Sequence, residues 1–236
     1  MNQKKLGIMQ PYFFPYIGYF QLINLVDEFV VYDNIQYTKK GWINRNTIFS
    51  NGEEKRITLP LKKDSDYLNV VDRQLSDSWQ TDRKKMLNLI RSSYSKAPFF
   101  ETCFPIVENI LLKNEINLFR FIFHSILEIN RYLDIDTKIT ISSSLDIDHT
   151  LKSKDKVISI CKELNGDTYV NSIGGQSLYC KNEFLKNKIY LFFIKSGAVT
   201  YPQFDFNHLP NLSIVDIMMF NSKDDIKSFL KAYELL

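Results

Sequence analysis

The sequence predicts an α/β fold: a mainly parallel sheet with a hairpin and a helical segment inserted in its middle. Three observations carry this. Strand-like and helix-like stretches alternate near both ends of the chain, the pattern of βαβ units. A hairpin signal, Asn51-Gly52, interrupts the alternation. Amphipathic helical sequence then fills residues 77–133. At 236 residues and 44% hydrophobic content, the chain can bury a sizeable core. It is expected to form one α/β domain over 1–236, the helical insertion at about 77–133 included.

Residues Lys5 to Gln10 read as a short buried strand. The run Pro11 to Gly18 cannot be regular structure, because two prolines and a glycine interrupt it. A helix follows from Tyr19 to Leu25, then a β-branched and aromatic strand from Glu28 to Asp33. Strand, loop, helix, strand is a βαβ unit, so the sheet is expected to be Rossmann-like. Residues 47–60 read as the hairpin, since both Asn51 and Gly52 accept positive φ. Asp77 to Tyr94 is a helix, and Phe104 to Leu133 holds one or two more. Strands are expected at Thr137–Ser142, Thr168–Asn171 and Ile189–Ile194. A helix over Lys154–Leu164 fits the 3.6 period, and a short helix ends at Phe184–Lys186. Two helices, Ser213–Phe220 and Asp224–Leu236, close the chain.

Composition narrows the function classes. A net charge of +3 is too small an excess to point to nucleic acid or a membrane surface. No run of about 18 apolar residues is present, so no membrane span is expected. Lys4 and Lys5 precede apolar residues, but Pro11, Pro15 and the lack of a small-residue cleavage site argue against a signal peptide. Cys103, Cys161 and Cys180 match no zinc spacing and are odd in number, so they read as reduced thiols of a cytoplasmic protein. The aromatic share is high at 14%, with 18 Phe and 13 Tyr. Phenols offer both a flat ring and a hydroxyl to a polar ligand. His124 lies on an apolar helix and is expected in the core. His149 has only Asp146 and Asp148 beside it, and no metal site is expected.

Ligands of an open parallel sheet bind beyond the carboxyl ends of its strands. The first such loop starts at Gln10, which offers donor and acceptor groups. Pro15 stiffens it, Tyr12, Tyr16 and Tyr19 line it, and Gly18 opens a helix whose N-terminus can receive an anion. The bland alternative is an aromatic loop packed into the core. The second loop, residues 33–46, gathers Asp33, Gln36, Lys39, Trp42, Asn44 and Arg45. Arg45 suits a bidentate phosphate or carboxylate contact, and Trp42 suits stacking. The alternative there is a solvated loop. Ser143, in the run Ser142–Ser144, ends a strand and reads first as a cap. Gly174 and Gly175, with Tyr179, could let backbone approach a ligand.

The stretches Gln10-Pro11-Tyr12-Phe13-Phe14-Pro15-Tyr16-Ile17-Gly18-Tyr19-Phe20, Phe29 to Asp33 and Gly41 to Asn46 together resemble the signature of the WbqC-like family. Further similarities lie at Tyr94 to Phe100, Ser143 to Leu145, Thr168-Tyr169, Gly174-Gly175 with Tyr179, and Leu212 to Asp216 with Asn221. Ile173 stands where the family tends toward glycine. The resemblance implies bacterial O-antigen or other surface-polysaccharide biosynthesis. It also implies attachment of an acyl or aminoacyl group, such as glycyl, to the amine of a nucleotide-linked amino sugar. At fold level the opening also resembles the HIGH-type nucleotidyltransferases, with Tyr19 where those carry histidine. On this reading Asp33, Gln10 and Arg45 are the catalytic candidates, with Asp33 as base. The ligand-binding candidates are Tyr12, Pro15, Tyr16, Gly18, Tyr19, Gln36, Lys39, Trp42, Asn44, Ser143, Gly174, Gly175 and Tyr179. Activation would come from ATP or an acyl carrier. A non-catalytic sugar-nucleotide or glycan binding protein is the alternative, and a glycosyltransferase ranks below both because no DxD-type motif is present.

Overall fold

The computed structural model describes residues 4–236. Strand β1 (Lys5–Met9) leads through the aromatic turn to α1 (Ile17–Leu25) and β2 (Glu28–Val31). The hairpin β3 (Arg45–Ser50) and β4 (Glu53–Thr58) follows, then helices α2 (Trp79–Tyr94), α3 (Phe100–Leu112) and α4 (Leu118–Leu133). The chain returns to the main sheet through β5 (Lys138–Ile141), α5 (Ser153–Glu163), β6 (Thr168–Ser172), α6 (Lys181–Lys186) and β7 (Tyr190–Ser196). It closes with α7 (Ile214–Phe220), α8 (Lys223–Phe229) and β8 (Tyr233–Leu235).

Six strands form one sheet in the order β5-β2-β1-β6-β7-β8. The first five are parallel and β8 runs antiparallel to β7. The chain builds outward from β1 through β2 to β5, then resumes on the other side of β1 with β6 and β7. The direction of winding therefore reverses between β1 and β6. That reversal is the crevice where doubly wound sheets hold their ligands.

The strands read as short apolar runs because both faces are covered. Alternation within them still sorts residues by face. Phe29, Val31, Val170 and Ile194 join the larger core, which contains α1, the hairpin and the inserted helices. Leu6, Ile8, Val30, Tyr169, Leu191 and Phe193 join a second core under α5 and α6, with Val157, Ile160, Cys161 and Phe184. Leaving Glu28 in this sheet needs compensation, since it is almost fully buried. Lys4 and Lys138 each reach it at 2.9 Å, and Thr140 donates a hydrogen bond to it.

The hairpin turns at Asn51 (φ 52°) and Gly52 (φ 83°), both positive as the sequence required. The helical stretch before Leu133 resolves into two helices. Asn117 begins the second one by accepting a hydrogen bond from the Arg120 N–H. The closing segment departs from expectation. Residues 224–236 do not form one helix: α8 stops at Phe229 and the chain turns into β8. Backbone pairing decides this, because Leu236 exchanges N–H···O bonds with Phe193 at 2.9 and 3.0 Å and covers the free edge of β7.

Cys103 and Cys161 are buried free thiols, and Cys180 is an exposed one. Burial pushes the Cys161 thiol up to about 12. His124 is half-buried rather than fully enclosed, with Glu128 at 3.9 Å. Burial lowers its pKa, and Glu128 opposes that shift. No helix among the described residues is long and apolar enough to cross a membrane.

Candidate functional site

A cavity of about 990 Å³ opens at the carboxyl ends of β1, β2 and β6, at the switch point. This is near the upper end of the ~300–1,000 Å³ range of small-molecule sites. Five stretches of chain wall it. Beyond β1 stand Gln10 and Tyr12, and beyond β2 stand Tyr32, Asn34 and Gln36. The start of α5 adds Lys152, Ser153 and Lys156, with His149 just before it. Asn171, Gly174, Gly175 and Tyr179 come from the end of β6 and the 3-10 turn after it. Tyr67 and Asn69 close one side, and Gln36 pairs with Asn69 through a backbone bridge.

The lining is amide and phenol in character. Burial raises Tyr12, with the Tyr16 charge adding to the effect. Burial pushes Tyr32 up to about 12 and raises Tyr179. These phenols therefore stay protonated near neutral pH and can donate hydrogen bonds to a ligand. His149 is held at both ring nitrogens. Its Nδ1 lies 2.8 Å from the Asn34 Nδ2 and its Nε2 lies 3.0 Å from the Leu145 carbonyl. Because the amide donates and the carbonyl accepts, this arrangement suits the tautomer protonated at Nε2.

The cavity brings together six of the residues singled out from the sequence: Gln10, Tyr12, Gln36, Gly174, Gly175 and Tyr179. Asp33 does not line it. Its carboxylate is fully buried, and both oxygens accept from Ser143, at 2.9 Å from the backbone N–H and 2.6 Å from the hydroxyl. Asp33 and Ser143 thereby tie the end of β2 to the end of β5. Tyr19 is buried and donates to the Gln10 carbonyl at 3.0 Å, which braces the turn from beneath. Pro15 accepts from the Ile214 N–H at 2.9 Å. The Tyr16 ring covers Gly18 so closely that an added Cβ would sit 2.5 Å from it. The start of α1 therefore faces elsewhere: Ile17 lines a separate recess of about 340 Å³ beside Tyr201 and His208.

The second loop reaches the cavity through Asn34 and Gln36, and its later residues lie elsewhere. Asn44 is buried, accepts from the Tyr37 hydroxyl at 2.9 Å and donates to the Leu59 carbonyl at 2.8 Å. Arg45 donates to the Lys39 carbonyl, and Lys39 pairs with Asp66 on the surface. Trp42 is 48% exposed. None of these four lines the cavity.

The buried cation in the cavity wall is Lys156 instead, with Lys152 exposed beside it. Lys156 is 2% exposed, and its Nζ sits 5.0 Å over the Tyr32 ring. Burial lowers its pKa, while Asp33 and Asp148 act against that shift. A signal for it existed in the sequence. Lys156 lies one turn before Ile160 and beside Val157, so the apolar stripe of α5 runs directly into it.

Fold and recess together define a doubly wound α/β protein with a large amide- and tyrosine-lined cavity at its switch point. The chain belongs to the WbqC-like protein family, whose model matches residues 10–228. An uncharacterized protein of Mycobacterium tuberculosis, Rv1507c, is 28% identical over 231 residues, covering 97% of this chain and 98% of that protein. No solved structure matches the chain.

Proposed function

We propose that this protein is an enzyme of bacterial surface-polysaccharide biosynthesis that transfers an acyl or aminoacyl group to the amine of a nucleotide-linked amino sugar. The observation that carries the proposal is the switch-point cavity, with its dense lining of phenols and amides. Gln10, Gln36, Asn34, Asn69 and Asn171 offer the paired donors and acceptors that sugar hydroxyls require. Tyr12, Tyr32, Tyr67 and Tyr179 offer ring faces for a sugar or a base. In the reaction the amine nitrogen attacks the activated carbonyl carbon, the C–N bond forms, and the leaving group and one amine proton depart. Holding both reactants in one recess is the main contribution of such a site. ATP or an acyl carrier is the activating partner in this scheme.

Asp33 takes a positioning role here, because Ser143 occupies both of its oxygens. The same observation favours a second reading, a protein that binds a nucleotide sugar without turning it over. Incubation with ATP, glycine or other acyl donors and a panel of nucleotide-linked amino sugars, followed by mass spectrometry, separates the two. The enzyme reading expects an acceptor that gains the mass of the acyl group. Thermal stabilisation by a nucleotide sugar with no mass gain on any acceptor would leave the binding reading in its place.

A further inference from the structure

Lys156 is a buried cation whose charge the fold offsets only at a distance, through Asp33 and Asp148. Its side chain is enclosed, yet its ammonium has no hydrogen-bond acceptor and no ion-pair partner among the described residues. The two carboxylates that act on it do so without touching it. Asp33 is held by Ser143, and Asp148 accepts from the backbone N–H and hydroxyl of Thr150. A buried ammonium with no hydrogen-bond acceptor is costly. It faces the cavity beside a second unsatisfied group, the first turn of the eleven-residue helix α5, which no side chain caps. Ser153 enters that helix at φ 49°. Of the neighbouring charges, Lys152 adds an exposed ammonium to the lining. Lys154 pairs outward with Glu183, and Asp155 is exposed and stands outside the lining.

We propose that Lys156 and the open first turn of α5 form the phosphate subsite of the cavity, accepting the diphosphate of a nucleotide-linked ligand. The inference rests on the reading of this cavity as a nucleotide-sugar site, and it places the phosphates at α5 rather than at the turn after β1. The ammonium supplies a point charge, and the backbone N–H groups of the first turn supply aligned donors at the positive end of the helix. Across the recess, Gly174 has room where a Cβ would stand and lets the chain pass close to the bound group.

Calorimetric titration of the whole chain with inorganic pyrophosphate, uridine diphosphate and uridine tests this. The wild type is expected to bind the two phosphate-bearing probes. Lys156→Met is expected to weaken both by tenfold or more and leave any uridine binding unchanged, while Lys156→Arg keeps most of the affinity. A second measurement needs no variant: pyrophosphate should shift the amide resonances of residues 153–156. Equal affinity for uridine diphosphate in wild type and Lys156→Met overturns the subsite but leaves the nucleotide-sugar reading intact. So do amide shifts confined to residues 10–19. Pyrophosphate binding that depends on Lys156, with no binding of any nucleotide, supports the subsite and removes the nucleotide-sugar reading. A wild type that binds neither phosphate-bearing probe overturns the subsite.

Discussion

Asp216 lies in α7 with its carboxylate fully buried, and it accepts from the Tyr94 and Tyr201 hydroxyls at 2.7 Å and from the Gln203 amide at 2.6 Å. Burial pushes its pKa up, and the three donors offset part of that shift. Asp216→Ala leaves three buried donors unpaired and is expected to destabilise by about 3 kcal/mol in urea unfolding. Asp216→Asn, which keeps one acceptor, should lose about half of that. A loss below about 1 kcal/mol for the alanine variant would show that water replaces the carboxylate. Asp33 and Lys156 mark where residue-scale inference from sequence succeeds and fails. An aspartate at a strand end reads as a base, because sequence spacing cannot show that a serine 110 residues later occupies both oxygens. A lysine on an amphipathic helix reads as solvated. The apolar stripe of α5 runs into it, and the packing of that helix against the sheet encloses it.

At the scale of elements, Glu28 binds three strands through side chains: its own β2, Lys138 of β5, and Lys4 leading into β1. Burial works to raise its pKa, but hydrogen bonds from Thr140, Lys4 and Lys138 outweigh it and the net shift is downward. A carboxyl whose folded pKa lies below its unfolded value stabilises the fold above the unfolded value and ceases to as pH falls through the folded one. Glu28→Gln is therefore expected to lower the denaturant midpoint at pH 7 and to shrink the drop between pH 7 and about pH 3. Equal midpoint losses at both pH values would assign the effect to packing instead. The 3-10 turn after β6 gives a functional counterpart. A Cβ on Gly175 would meet the Asn171 amide at 2.3 Å, so Gly175→Ala should displace that amide within the cavity. The expected result is weaker ligand binding with little change in melting temperature.

The same scale shows why so much of the fold was legible. The opening βαβ unit, the Asn51-Gly52 hairpin and α5 each follow from local pattern: apolar runs, positive φ and the 3.6 period. The end of the chain was not legible, because a three-residue strand such as Tyr233–Leu235 exists only through its partner β7. The cavity was legible by position, since loops beyond parallel strands are where it had to be. Its chemistry was half legible. Gln10, Tyr12 and Tyr179 advertise themselves, whereas the second loop's Lys39, Trp42 and Arg45 look equally functional and stand outside the lining.

For the molecule as a whole, the C-terminal hook closes the sheet. Gln21 in α1 donates to the carbonyls of Phe229 and Ala232 and accepts from Ser196, so α1, β7 and the hook share one buried amide. Deleting residues 233–236 exposes the β7 edge, on which Tyr190 and Phe192 are already partly exposed. Such a truncation is expected to lower the melting temperature and to raise the aggregated fraction in light scattering. An unchanged, monodisperse sample would show that β8 is dispensable.

The hydroxyl of Tyr94 also accepts from the Phe49 N–H, so Asp216 is joined through it to the hairpin nearly 170 residues earlier. This has a consequence for biosynthesis. During translation the hairpin and α2 leave the ribosome long before their buried anion is made. Until residue 216 emerges, Tyr94 has no carboxylate to bind and the apolar underside of the helical layer has no lid. Nascent chains stalled before α7 should therefore be clients for chaperones, and emergence of α7 should complete this part of the fold in a single late step.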